Sequence, residues 1–203
     1  MNDSLKIFNY LFLIFFMVIS GCSTDDPKKE DAPELITKAT LTFTPTNGGS
    51  AVVVSATDPD GEGVKDLAPD SQVVLNSNST YDLTISLINE LAATDEEGYD
   101  ISDEVQEEGA EHLFFFGWTN DLFSSPAGNG NIDNRSDNVI YSDNDSKNLP
   151  IGLKTRWTTA GSGRAGSFRI ILKHQPDLKN GTSGIDIGET DLDISFTVVI
   201  PIP

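Results

Sequence analysis

Apolar and polar residues alternate along most of the chain after residue 34, and this period of two predicts β-strands. In the run 81–89, for example, Tyr81, Leu83 and Ile85 share one face, whereas the residues between them are polar. The same reasoning predicts strands over 35–45, 50–57, 72–75, 81–89, 112–118, 139–142, 151–159, 166–174 and 192–200. An Asn-Gly-Gly sequence at 47–49 predicts the turn of a hairpin. The pattern therefore predicts an all-β fold, a two-sheet immunoglobulin-like β-sandwich of about eight or nine strands.

One stretch breaks the alternation and predicts a helix. From 90 to 111 the chain carries ten acidic residues and no Lys or Arg. Within it, Ile101 and Val105 are spaced as on one helical face, and Asp100 or Ser102 can cap the first turn. We therefore expect one short acidic helix before the strand at 112–118. The segment 119–137 is rich in Gly, Asn and Ser and predicts a long loop.

The first 22 residues have the organisation of a secretion signal. Lys6 provides a weak positive region, and the apolar run 10–19 is shorter than the roughly 20 residues of a membrane span. The run ends in Ile-Ser-Gly-Cys at 19–22, which resembles the lipobox of bacterial lipoproteins. That resemblance implies cleavage before Cys22 and attachment of lipid, including palmitate, to Cys22, which would hold the chain at the membrane. The other interpretation of Cys22 is an ordinary buried cysteine.

These features predict three parts of the chain: a signal peptide (1–21), a lipidated cysteine with a flexible acidic linker (22–34), and a β-sandwich domain (35–203). The linker is polar, charged or proline, and it lacks the apolar residues needed for packing. Its acidic pair, Asp25 and Asp26, resembles the surface-export signal of Bacteroidetes lipoproteins, which implies the outward face of the outer membrane. The alternative is that these acids only solvate the linker.

Charge and cysteine content narrow the classes of partner and activity. The formal net charge is -19 at pH 7, which argues against nucleic acid or an anionic lipid surface as a partner. Cations are the natural counter-charge, although an acidic surface also simply keeps an exported protein soluble. Cys22 is the sole cysteine, so the domain cannot contain a disulfide. Because the sequence has no nucleophile elbow, phosphate loop or zincin motif, we predict a protein without enzymatic activity.

The chain has only two histidines, and the alternation places both on the apolar faces of their strands. His112 begins one predicted strand, and His174 ends another. If the two strands are antiparallel neighbours, the imidazoles approach each other, and Glu108 or Glu111 can complete a His/His/carboxylate set for Zn, Cu or Fe. The alternative is that each histidine caps a strand end with ordinary hydrogen bonds.

A second candidate site is the Asp-Pro-Asp-Gly-Glu-Gly sequence at 58–63. Asp58, Asp60 and Glu62 offer oxygens at positions one, three and five of a calcium loop, and glycine follows at position six. Position twelve is Pro69, where such loops have a bidentate Glu, so the alternative is a plain turn between strands. The Asp-Asn-Asp run at 143–145 is also rich in oxygens, but the nearby Lys147 repels a cation and favours a turn.

Five short motifs resemble those of a family of small acidic lipoproteins of Flavobacteria. They are Asp100-Ile-Ser-Asp-Glu-Val-Gln-Glu-Glu108, Glu111-His-Leu-Phe-Phe-Phe116, Leu149-Pro-Ile-Gly-Leu153, Leu172-Lys-His-Gln-Pro-Asp177 and Gly188-Glu-Thr-Asp-Leu-Asp193. Members of this family are often labelled periplasmic-binding-fold-like and are often encoded near TonB-dependent outer-membrane receptors. That fold needs alternating strands and helices, which disagrees with the strand-rich pattern of this chain.

The resemblance implies a class of function rather than an activity. We expect a lipid-anchored outer-membrane protein, exposed at the cell surface, that acts as a non-enzymatic binding or accessory module with a TonB-dependent receptor as its partner. Its role would be receptor-mediated uptake of a metal or another small ligand, with calcium or a transition metal as the cofactor. The alternative is a structural or adhesive surface protein without a small ligand.

Overall fold

The computed structural model describes residues 34–58, 67–96 and 98–202, which contain ten strands and one helix. The strands are β1 (Lys38–Pro45), β2 (Val52–Thr57), β3 (Ala68–Pro69), β4 (Val73–Val74), β5 (Thr80–Ile88), β6 (His112–Trp118), β7 (Phe123–Ser125), β8 (Lys154–Thr159), β9 (Arg164–His174) and β10 (Glu189–Ile200). The helix α1 spans Ile101–Glu107. No helix of the described residues is long and apolar enough to span a membrane.

The strands form two sheets that face each other, which confirms the predicted all-β sandwich. One sheet has six strands in the order β3-β2-β1-β5-β8-β7, and the other has four in the order β4-β10-β9-β6. All neighbouring strands are antiparallel except β4 and β10, which are parallel. The predicted hairpin at 47–49 connects β1 to β2.

The main core lies between the sheets, where alternate residues of each strand are buried. Phe43 of β1, Leu83 of β5 and Phe196 of β10 are each at most 1% exposed. Burying an apolar side chain of this size contributes about 1.5–3 kcal/mol relative to leaving it in water. Aromatic rings with neighbouring centroids 4.8–5.9 Å apart fill one part of this core: Phe116, Trp118, Phe123, Trp157 and Phe168. The alternation that predicted the strands therefore also predicted their buried faces.

Strand β6 is buried on both of its faces, which explains its continuous apolar sequence. Phe114 and Phe116 point into the main core, whereas Leu113 and Phe115 lie on the opposite face of the sheet. There they form a second cluster with Ile171, against which three partly buried side chains pack: Ile132, Tyr141 and Ile185. Connections before β8 and after β9 thus cover the outer face of the four-stranded sheet.

Helix α1 begins where the sequence predicted it. The Asp100 carboxylate accepts hydrogen bonds from the backbone N–H groups of Ser102 and Asp103, which otherwise have no partner within the helix. Ile101 and Val105 are buried in the main core. The helix ends at Glu107, and four residues separate it from β6, which begins at His112. The helix therefore sets the position of the acidic residues just before β6.

Two local predictions were wrong. The stretch 139–142 is not a strand, because Tyr141 forms only one isolated bridge and the Asp143 carboxylate binds the backbone N–H groups of Gly152 and Lys154. Conversely, the predicted loop 119–137 contains β7, whose Phe123 is buried in the main core. Three residues are too few to show an alternation.

Candidate metal centre

The two histidines form a cross-strand pair at one end of the main core. Strands β6 and β9 are antiparallel, and their register places His112 directly opposite His174. His112 is fully buried, and His174 is 7% exposed. The imidazole centroids are 4.6 Å apart, and the ring planes are within 7° of parallel. The strand pairing that the metal hypothesis required is thus present.

Each imidazole uses one nitrogen in a contact with an oxygen acceptor. His112 Nδ1 lies 3.3 Å from the backbone carbonyl oxygen of Glu108, just after α1. His174 Nε2 lies 3.4 Å from Oε2 of Glu111, which is partly exposed. A carbonyl or carboxylate oxygen can only accept, so these nitrogens carry the protons of the neutral rings. The lone pairs are therefore on His112 Nε2 and His174 Nδ1.

These two lone-pair nitrogens are buried, and neither has a hydrogen-bond partner among the described residues. The arrangement is typical of metal-ligating histidines, in which one ring nitrogen binds the ion and the other donates to a carbonyl or carboxylate. Glu108, His112 and His174 can each place one ligand atom within 4.8 Å of the others. Glu111 contacts the opposite nitrogen of His174, so it orients this ring.

Sequence reasoning missed a fourth group, Asp191. Alternation along β10 placed Asp191 on the polar face, but the pairing of β10 with β9 shifts between Thr190 and Leu192, and both Asp191 and Leu192 are buried. Such a bulge turns a side chain to the other face. Asp191 Oδ2 lies 3.8 Å from His112 Nε2, and both side chains are 0% exposed.

The connection before Asp191 explains why its position is not visible in the alternation. Gly188 has a φ of +75°, and a Cβ on this residue would collide with the carbonyl oxygen of His174. Glycine therefore allows the chain to turn closely past the end of β9. The other carboxylate oxygen of Asp191 accepts a hydrogen bond from the backbone N–H of Glu34 at 3.4 Å. A glycine three residues before an acid was the only sequence signal.

Burial shifts the pKa values of the facing groups in opposite directions. Burial, with a smaller effect of His174, lowers the pKa of His112 to about 4, so this ring is neutral at pH 7. Burial raises the pKa of Asp191 to about 6, while His174 and a backbone N–H act against this shift. At pH 7, the lone pair on His112 Nε2 thus faces the mostly ionised carboxylate of Asp191, and both groups are buried. A bound cation would satisfy both acceptors.

The chemistry of this donor set suits a transition metal better than calcium. Imidazole nitrogen is a good ligand of Zn, Cu and Fe, whereas calcium takes six to eight oxygen ligands. The two imidazole rings are parallel, and a metal ion binds a ring nitrogen in the plane of its ring. An ion in the plane of one ring therefore lies outside the plane of the other. His174 must turn about its side-chain bonds to bind the same ion as His112.

The remaining predicted site residues belong to the calcium loop and to the lipidation site, and of these only Asp58 lies among the described residues. Asp58 is buried just after β2, and Asp60 and Glu62 lie outside the described residues, so the calcium loop stays a prediction. Cys22 also lies outside the described residues. The run 143–145 leads into a turn at 146–147 and is not itself the turn that was predicted: Asn144 pairs with Pro150 across it, and Asp145 Oδ1 accepts hydrogen bonds from the backbone N–H groups of Lys147 and Leu149.

Comparison with known proteins yields no relative of this chain: no family model matches it, and no curated protein or solved structure matches it significantly.

Proposed function

We propose that this protein is a lipid-anchored outer-membrane lipoprotein, exposed at the cell surface, that binds a transition-metal ion and has no enzymatic activity. The observation that carries the proposal is the buried histidine pair at the end of the core, with Glu108, His112 and His174 able to place ligand atoms within 4.8 Å of one another. The anchor is supported by the lipobox sequence that ends at Cys22.

The two lone-pair nitrogens are the strongest support for an ion. A buried polar atom without a partner costs about 1–3 kcal/mol. His112 Nε2 and His174 Nδ1 both have this character among the described residues, and they belong to neighbouring rings. A metal ion would replace two such costs with two ligand bonds. The second nitrogen of each ring is already held by an oxygen, which fixes the tautomer needed for ligation.

Uptake gives the metal site a role at the cell surface. The motif resemblance to flavobacterial lipoproteins supports a TonB-dependent outer-membrane receptor as the partner that would receive the ion. A net charge of -19 concentrates cations near the protein. The protein would therefore capture the ion outside the cell and deliver it to the receptor.

A structural or adhesive surface protein is the second candidate function, and one observation favours it. Each histidine already makes a polar contact, His112 with the Glu108 carbonyl and His174 with Glu111. In that case the histidines only terminate the strands, and the sandwich carries no small ligand. Metal binding decides between the two functions.

The test is native mass spectrometry and calorimetry of the full-length chain in mild detergent, titrated with Zn²⁺, Cu²⁺ and Ca²⁺. We expect one Zn²⁺ or Cu²⁺ per chain, retained in 0.5 M NaCl, which screens attraction by surface charge. Glu108→Gln and His174→Gln should each weaken binding at least tenfold. Glu107→Gln is the matched control, because it removes a neighbouring exposed acid of α1 that is outside the cluster. Weak, salt-sensitive binding at several sites, equal in all variants, would favour the structural alternative.

A further inference from the structure

Two buried acceptor atoms, Asp191 Oδ2 and His112 Nε2, face each other across 3.8 Å at the end of the core. We propose that a single transition-metal ion of the Zn²⁺ class joins these two atoms, so that Asp191 is a metal ligand. This inference rests on the proposed function and adds to it the buried carboxylate of the site. It also replaces Glu111 as the second acidic residue of the centre.

The distance between the two atoms is informative. It is longer than the roughly 2.7–3.2 Å of a direct hydrogen bond, so a proton on Asp191 does not join them at this separation. Zn²⁺ bonds of about 2.0–2.1 Å to nitrogen and 2.0–2.2 Å to oxygen sum to slightly more than the 3.8 Å observed, so one ion can contact both atoms at an open angle. A bridging water is the competing occupant.

The surroundings hold Asp191 in place for this role. The bulge at Thr190 directs its side chain into the core, and the backbone N–H of Glu34 binds its other oxygen. The nearest basic side chain on the adjacent strand, Lys173, instead donates to the Thr190 hydroxyl at 2.8 Å. Oδ2 is therefore left without a hydrogen bond among the described residues and is directed at the histidine.

The ligand set explains why the ion would be held and not used for chemistry. Asp191 lies outside the group of ligand atoms formed by Glu108, His112 and His174, so Glu108 and His174 must both turn to share an ion with it. The set would then provide two imidazoles and two carboxylates, which together balance the charge of a divalent ion. Four protein ligands leave no open position for a substrate or a reactive water, as in structural zinc sites. Two imidazoles select Zn²⁺ and its neighbours over Mg²⁺ and Ca²⁺.

The experiment compares Asp191→Asn with Asp193→Asn in the full-length chain, purified in mild detergent and stripped of metal with a chelator. Asp193 is the matched control, because it lies on the same strand but its carboxylate binds Arg169 at 2.7 and 2.8 Å. Competition with a chromophoric chelator measures Zn²⁺ affinity. We expect a loss of at least about 100-fold in Asp191→Asn and less than about threefold in Asp193→Asn, since removing a direct ligand exceeds the 10–100-fold cost of a supporting group.

Stability of the metal-free protein separates loss of a ligand from loss of folding. Asp191→Asn should melt at the same temperature as the wild type or higher, because it removes the cost of burying a carboxylate and keeps an oxygen that can accept from the backbone N–H of Glu34. The increase in melting temperature on Zn²⁺ addition should disappear in this variant. A Zn²⁺-loaded crystal structure of the wild type should place the ion within about 2.3 Å of Asp191 Oδ2.

The possible failures are distinguishable. If the wild type binds one Zn²⁺ that is lost in His174→Gln, but Asp191→Asn binds with unchanged affinity, the inference is overturned and the proposed function stands. The same follows if the crystal structure shows water between Asp191 and His112 and the ion elsewhere. If the wild type binds no ion at a defined site, the proposed function fails and takes the inference with it.

Discussion

His112 and Asp191 show how burial gives two facing groups opposite pKa shifts. Burial lowers the pKa of His112 from 6.5 to about 4, so within this range the unfolded chain binds a proton that the folded protein does not. Burial raises the pKa of Asp191 from 3.8 to about 6, so within that range the folded protein binds a proton that the unfolded chain does not. The two pH ranges nearly coincide. Their contributions to the pH dependence of stability therefore nearly cancel.

Removing either group should reveal the contribution of the other. In Asp191→Asn only the contribution of His112 is left. When the pH is lowered from 7 to about 4.5, the free energy of unfolding of this variant should therefore fall by about 2 kcal/mol more than that of the wild type. In His112→Gln the aspartate contribution is left, and the same change in pH should favour the folded state by about 2 kcal/mol relative to the wild type. Urea unfolding of the metal-free proteins measures both. Identical pH dependence in all three proteins would contradict the assigned shifts.

At the residue scale, the histidine pair was predictable and Asp191 was not. His112 and His174 are in phase with the large apolar residues of long strands, so alternation alone shows that both point inward. Their meeting needed only one further condition, that the strands are antiparallel neighbours. The inward orientation of Asp191 depends on a one-residue shift in the pairing of β10. A prediction that continues the alternation of β10 through this shift places Asp191 on the wrong face.

At the element scale, one buried lysine connects three segments at the end of the sandwich that carries the histidines. Lys179 Nζ lies 3.0 Å from Asp145 Oδ2 and donates to the Gly109 carbonyl at 2.6 Å. Both charged side chains are at most 1% exposed. The contacts join the segment after β9, the run 143–145 and the chain just after α1. Neither Lys179 nor its pairing with Asp145 was predicted, because nothing local in the sequence marks the partner of an isolated lysine.

Lys179→Met should destabilise the protein by about 3–5 kcal/mol, because it leaves the Asp145 carboxylate buried without its counter-charge. Asp145→Asn keeps the oxygen that binds the Lys147 and Leu149 amides but removes the charge. The double variant Lys179→Met/Asp145→Asn should therefore recover a large part of the lost stability. Urea denaturation of the four proteins forms a double-mutant cycle. A double variant no more stable than Lys179→Met would show that packing of the lysine stem, not charge, holds the segments.

The predictability of the strands also has a physical limit at this scale. The long strands were predicted to within three residues at each end, and β5 to within one. Strands as short as β3 and β7 are held by pairing with a neighbour, β2 or β8, and carry no periodic signal of their own. The stretch 139–142 has a strand-like sequence, but the hydroxyl of Tyr141 donates to the carbonyl of Phe114. This bond holds the stretch against β6.

At the scale of the whole molecule, the described surface offers little that would hold it on a membrane without a lipid. The large apolar residues that it exposes are scattered over the chain and are few: Leu35, Val53, Val74, Leu91, Leu178 and Ile202. A net charge of -19 repels anionic lipid headgroups. The proposed membrane attachment would therefore depend on the sequence before the sandwich, where Cys22 follows the apolar run 10–19.

Cys22→Ala should abolish lipid attachment and move the protein from the outer-membrane fraction to the soluble fraction. The physical reason is that the apolar run 10–19 is too short to span a bilayer, so the proposed anchor would be the lipid on Cys22. Radiolabelled palmitate and membrane fractionation measure both effects. Ser23→Ala is the matched control, because it changes the next residue and leaves the cysteine intact. Because Cys22 is the sole cysteine, the substitution cannot act through a disulfide, and unchanged membrane association would show that the anchor lies elsewhere.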